Sequence, residues 1–157
     1  MMKRLLRFAS LLALVCAVAA CEKTTETPEP VLDVTANNIS GVWRLAGWND
    51  KGLAQGAYVY IEFTRRNTEF TIYENLDSFS ARKITGRYNI YTDEEHGAII
   101  RGQYDYGNGD WQHRYIVRSL TKTSMTWIAL DDADDISVYE RCDGVPDDIL
   151  SQFPSEE

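Results

Sequence analysis

From Ile39 onward, apolar and polar residues alternate with a period of two. That is the pattern of strands with one face buried and the other in water. Val59, Ile61 and Phe63 share a face against Tyr60 and Glu62. Ile84, Gly86, Tyr88 and Ile90 oppose Lys83, Thr85, Arg87 and Asn89. Ile100, Gly102 and Tyr104 oppose Arg101 and Gln103. The pattern predicts eight strands at near-regular spacing, at 41–48, 57–64, 69–75, 81–91, 98–106, 111–120, 125–130 and 136–141. β-Branched and aromatic residues dominate all of them.

The gaps between strands carry turn chemistry. Gly107-Asn108-Gly109-Asp110 is the strongest hairpin signal, because Asn and Gly reach positive φ at low cost. Asn49-Asp50-Lys51-Gly52, Arg65-Arg66-Asn67 and Asp93-Glu94-Glu95-His96-Gly97 read the same way. Asp131-Asp132-Ala133-Asp134-Asp135 is expected to close the seventh strand onto the eighth. No stretch of helical period separates the strands, so every connection suits a hairpin and parallel βαβ architecture is excluded. The prediction is an all-β fold, an eight-stranded antiparallel up-and-down barrel over 39–145. Closure removes the two edges that an open meander would expose. A short helix is expected in the 146–157 tail. Pro146 stands at its first turn, Asp147 and Asp148 at its positive end, and Ile149, Leu150 and Phe153 on one side.

The start of the chain has a different character. Lys3, Arg4 and Arg7 precede an apolar run at residues 11–20, too short for the ~20 residues that cross a bilayer. This is a secretory signal over 1–20. Its ending, Val18-Ala19-Ala20-Cys21, resembles a bacterial lipobox. That resemblance implies cleavage before Cys21, acylation of its thiol with chains such as palmitate, and anchoring in the cell envelope. Glu22 rather than Asp follows the cysteine, which by resemblance to lipoprotein sorting rules favours the outer membrane, at its periplasmic face or the cell surface. Residues 21–38 begin with Thr, Glu and Pro and read as a flexible tether.

Processing sharpens the charge. The leader carries three of the 16 basic residues and none of the 24 acids, so its loss takes the formal charge from −8 to −11. A chain this acidic is repelled by phosphate backbones, so nucleic acid is excluded as a partner. Adsorption to anionic lipid by charge is excluded too, which leaves acylated Cys21 to hold the membrane. Of three cysteines only Cys142 remains unmodified, so no disulfide forms within the chain and an apolar core supplies stability.

Ile39-Ser40-Gly41-Val42-Trp43-Arg44-Leu45 resembles the Gly-x-Trp opening of lipocalins and related small barrels. Gly86-Arg87-Tyr88 and Gly102-Gln103-Tyr104 repeat a Gly-x-Tyr element, and Tyr139-Glu140-Arg141 ends the last strand. Together these resemble the lipocalin-like (calycin-type) domains of bacterial envelope lipoproteins over most of 39–142. The resemblance implies that Trp43 packs beneath the barrel with Arg141 over its ring, both in structural roles. It also implies a habit of binding small ligands.

An eight-stranded barrel is either filled by side chains or holds one small ligand. If Tyr88, Tyr104, Trp111, His113, Tyr115 and Trp127 face inward, they line a partly polar aromatic cavity suited to an amphipathic or aromatic ligand. Gly86 and Gly102 then leave space, unless they mark bends. In the alternative, the same rings fill the barrel, and its acidic exterior meets an envelope protein as an interaction or inhibitor module. An enzyme finds no support, since no nucleophile elbow, phosphate loop or dinucleotide fingerprint is present. His96 and His113 with a distant Cys142 make no zinc set, and no cofactor is implied. The acidic run at Asp131 lacks the ligand spacing of a calcium loop.

Overall fold

The structure, a computed structural model, describes residues 28–76 and 80–153. The expected signal peptide, Cys21 and the first part of the expected tether lie outside the described residues. The chain forms the expected closed barrel of eight antiparallel strands in simple succession. They are β1 (Gly41–Trp48), β2 (Tyr58–Thr64), β3 (Glu69–Asn75), β4 (Arg82–Asp93), β5 (Gly97–Tyr104), β6 (Tyr115–Arg118), β7 (Ser124–Ala129) and β8 (Asp132–Cys142). Closure is made by β1 and β8, with Trp43 opposite Arg141 and Leu45 opposite Tyr139.

Directly opposed residues in a ladder point to the same face, so register alone assembles the interior. Trp43 faces Ile61, which faces Ile72, which faces Ile84. Phe63, Phe70, Gly86 and Tyr104 form the next chain of neighbours. Val117, Trp127 and Ser137 form another.

One end of the cylinder is sealed. Thr35 caps a single helical turn, α1 (Ala36–Ile39), by accepting a hydrogen bond from the Asn38 N–H. Ile39, fully buried, plugs the end beside Trp43, Phe63, Phe70, Leu120 and Met125. The Trp43 indole N–H donates to the Ile39 carbonyl at 2.7 Å, and the Arg141 guanidinium lies 4.1 Å above the Trp43 ring. That guanidinium also donates to the carbonyls of Asn38, Ser40 and Lys122 at 2.6–2.7 Å. Gly41, at φ +115°, leaves no room for a side chain: a Cβ there would press on Arg141 Nη1 at 2.7 Å.

Docking of the N-terminal segment starts before the expected boundary at Ile39. Glu29 accepts hydrogen bonds from Thr123, the Leu32 N–H donates to the Leu120 carbonyl, and Leu32, Val34 and Ala36 pack against the core. The sequence concealed this because only two of these apolar residues, Leu32 and Val34, follow the Thr/Glu/Pro run closely.

Several strand boundaries also differ from the pattern, most at β6 and β8. β6 begins at Tyr115, not Trp111, because regular pairing with β5 is interrupted at 111–114 after a ladder bond from the Trp111 N–H to the Gly102 carbonyl. The Gly107-Asn108-Gly109-Asp110 turn forms as expected, preceded by one 3₁₀ turn at Asp105–Gly107. Only Asp131 of the acidic run lies in the turn, with Leu130; from Asp132 the run is the start of β8. The helix α2 (Asp147–Leu150) follows Pro146. It buries Ile149 and leads to Phe153 against the outward face of Tyr73, with ring centroids 5.5 Å apart.

Candidate functional site

The barrel is packed at the α1 end and open at the other. At the end opposite α1, a cavity of about 380 Å³ runs into the interior. Its floor and walls come from residues of seven strands, all but β4: Leu45, Val59, Ile61, Ile72, Tyr104, Tyr115, Trp127 and Tyr139 among them. Trp111 and His113 enter from the bulge before β6, and Trp48 from the end of β1.

The aromatic rings form one continuous cluster around Trp127. Its centroid lies 4.8 Å from Tyr139, 5.1 Å from Tyr115 and 5.5 Å from Trp111. Phe70 closes the cluster beneath, 5.0 Å from Trp111 and 6.0 Å from Tyr104. Tilted and edge-on pairs of this kind add ~0.5–1.5 kcal/mol each beyond area burial. Among the described residues, the buried indole nitrogens of Trp111 and Trp127 have no hydrogen-bond acceptor.

Five of the six residues expected to line a cavity therefore do so: Tyr104, Trp111, His113, Tyr115 and Trp127. Tyr88 does not. It packs in the solid end, edge-on to Phe63 at 5.0 Å, and its hydroxyl donates to the Thr64 carbonyl at 3.2 Å. The alternation expected for Trp111, His113 and Tyr115 along one strand is absent, since 111–114 is irregular; the bulge turns all three inward by another route. Gly86 and Gly102 were expected to leave space, and that space is filled. The Phe70 ring occupies the place of a Gly86 side chain, and the Trp111 indole that of Gly102. The glycines thus admit large rings from neighbouring strands rather than emptying the barrel.

The mouth is polar. His113 Nδ1 and Asp131 Oδ1 lie 2.8 Å apart, which draws the Asp131 carboxyl below the usual carboxylate range. His113 Nε2 stands 4.0 Å from Asp135 Oδ2, and the Trp48 indole N–H donates to Asp135 Oδ1 at 2.6 Å. Asp135 reaches the mouth through a break in register: Ile128 faces Ile136, yet Ala129 faces Asp132. The residues between have no opposite number in β7, and such bulges re-aim side chains. Opposite, Glu74 pairs with Arg82 at 2.6 Å. Burial, reinforced by Asp135, Tyr104 and Asp131, pushes the Tyr115 phenol up to about 12. Burial raises Tyr139 further still, and raises Tyr104 with help from Glu74.

Sequence reasoning missed Glu74, Trp48, Asp135 and Tyr139 as wall residues. Tyr139 was recoverable from its alternation with Arg141, but Asp135 was not, because a register break leaves no periodic trace. Cys142 is half-buried at the sealed end of β8, its thiol 3.7 Å from the Glu140 carbonyl. It is therefore at the opposite end of the barrel from His113. His96 lies in the β4–β5 turn, where Asp93 Oδ1 receives the Glu95 and His96 N–H groups. Among the described residues no group of three or more His, Cys, Asp or Glu is placed to hold a metal.

No family model matches the chain, and no curated protein matches it. Among solved structures, it is similar to a lipocalin-like protein from Bacteroides uniformis ATCC 8492. The two are 16% identical with a TM-score of 0.47, over 67% of this chain and 99% of that one. The fold stands on the strand order itself, a closed eight-stranded up-and-down barrel with one sealed and one open end.

Proposed function

We propose that this chain is an envelope lipoprotein, held in the membrane through acylated Cys21, whose barrel binds a small amphipathic or aromatic ligand. The observation that carries the binding reading is the one-ended cavity of about 380 Å³ walled by a connected ring cluster. Its size falls within the ~300–1,000 Å³ of small-molecule sites, and its apolar walls carry few polar groups, as such sites do. The two indole N–H groups without protein acceptors suit a ligand with an oxygen or nitrogen lone pair. The anchoring rests on the basic head, short apolar run and Val18-Ala19-Ala20-Cys21 of the sequence. Outer-membrane placement rests on Glu22 following the cysteine.

Native mass spectrometry of the protein purified from its own envelope tests both parts. The expected result is the mass of a chain starting at Cys21 plus its acyl groups, with a co-purifying small molecule. A panel of amphipathic compounds should then quench tryptophan fluorescence. At a hundredfold excess over Kd, a binding compound should add ~2.7 kcal/mol of stability. An unacylated mass refutes the anchor. A panel that leaves both fluorescence and melting unmoved refutes the ligand site, and then the barrel acts as an interaction module.

A further inference from the structure

The charges around the cavity are uneven in a way that selects among ligands. Glu74 and Asp135 are among its walls, and no lysine or arginine is. Arg82 offsets Glu74 from the half-exposed outer side. Asp135 has no such partner: among the described residues, no lysine or arginine nitrogen lies within 4.0 Å of it. Its side chain is only 16% exposed. It accepts one neutral N–H from Trp48, and the imidazole 4.0 Å away is beyond hydrogen-bond reach. A shielded carboxylate with a free acceptor oxygen stands at the rim of a well of ring faces. Each indole or phenol face presents the negative side of its quadrupole, which attracts a cation within ~6 Å. The same field opposes loss of a proton from Tyr115, whose phenol is held protonated by burial and by Asp135 and Asp131.

We infer that the cavity selects a cationic ligand, a small aromatic or amphipathic ammonium whose charge is received by Asp135 and whose apolar body fills the space between Trp111, Tyr115, Trp127 and Tyr139. This rests on the cavity being a ligand site and narrows that reading to one charge class. Carboxylate ligands of the same size are disfavoured: they would meet Asp135 and Glu74 with no lysine or arginine in the wall to receive them.

Three probes of near-equal size and different charge make the test: 2-phenylethylammonium, 2-phenylethanol and 3-phenylpropionate. Each is titrated into the full chain and followed by calorimetry and tryptophan fluorescence. The ammonium should bind about tenfold or more tighter than the alcohol, equivalent to ~1.4 kcal/mol, and the carboxylate more weakly than either. Asp135→Asn, which retains an oxygen for the Trp48 N–H, should bring the ammonium-to-alcohol ratio to within about threefold of one. The charge series on the parent protein stands by itself if that variant fails to fold. Alcohol or carboxylate binding that equals or exceeds ammonium binding overturns the charge inference and leaves the ligand cavity standing. So does an unchanged ratio in a folded Asp135→Asn. If none of the three binds, the inference and the ligand reading fall together.

Discussion

Replacing Arg141 by methionine should open the sealed end of the barrel. The substitution keeps the apolar reach of the side chain but removes every donor. Three carbonyls, of Asn38, Ser40 and Lys122, then lose a charged partner at 2.6–2.7 Å. Hydrogen bonds to charged groups are worth ~1.5–3 kcal/mol each when fully shielded. Arg141 is only partly buried, and water can reach some of those oxygens, so ~2 kcal/mol for the set is the appropriate scale. Loss of the guanidinium 4.1 Å above the Trp43 ring adds ~1 kcal/mol. The sum, ~3 kcal/mol, corresponds to a melting point lower by roughly 12 °C at ~4 °C per kcal/mol. Trp43→Ala should cost ~3–5 kcal/mol as the truncation of a fully buried ring. The double variant should cost ~1 kcal/mol less than the two separately, because the stacking is lost once. Arg141→Lys should fall between parent and methionine variant, since an ammonium cannot address three carbonyls around a ring with one planar fork. Thermal and urea unfolding followed by circular dichroism measure all four. An Arg141→Met protein melting within about 3 °C of the parent would refute the claim that this guanidinium locks the closure.

Two further outcomes follow from the interior. Gly102→Ala places a methyl where the Trp111 indole lies, at a backbone angle any residue can adopt. It should cost ~1–3 kcal/mol by overpacking and shift tryptophan emission as that ring moves; an unchanged spectrum and melting point would show that Trp111 does not fill the gap. At high pH, followed by tyrosinate absorbance, Tyr115 should titrate late, near 12. Its folded value is raised above the unfolded ~10, so the stabilisation is complete below ~10 and is lost as pH rises toward 12. Tyr115→Phe should remove part of the late step, and titration of all the phenols together near ~10 would contradict the buried placement.

The period-two pattern of Val59, Ile61 and Phe63, or of Ile100, Gly102 and Tyr104, was enough to read the strand count, the up-and-down order and most inward faces. Each of those positions is fixed by local alternation, which a single strand carries in full. The features that escaped are those set by two segments together. The bulge that turns Trp111, His113 and Tyr115 inward exists only relative to β5, and the break that presents Asp135 exists only relative to β7. Tyr88 alternates correctly and does face inward, but depth along the axis decides whether an inward residue meets a cavity or a packed floor. A one-strand pattern holds no information on depth. Gly86 and Gly102 show the same limit, because a vacancy in one strand is filled by a ring from another.

The chain passes Pro28 and Glu29 beside Thr123, a residue of the β6–β7 loop at the sealed pole. The last strand, β8, also ends at that pole, before the tail turns along the outer face of the barrel to Phe153 beside Tyr73. Under the proposed anchoring, a tether holding the protein by its leading segment would attach at the pole opposite the aperture. On that proposal, a solute would reach the aperture from the medium rather than from the membrane side.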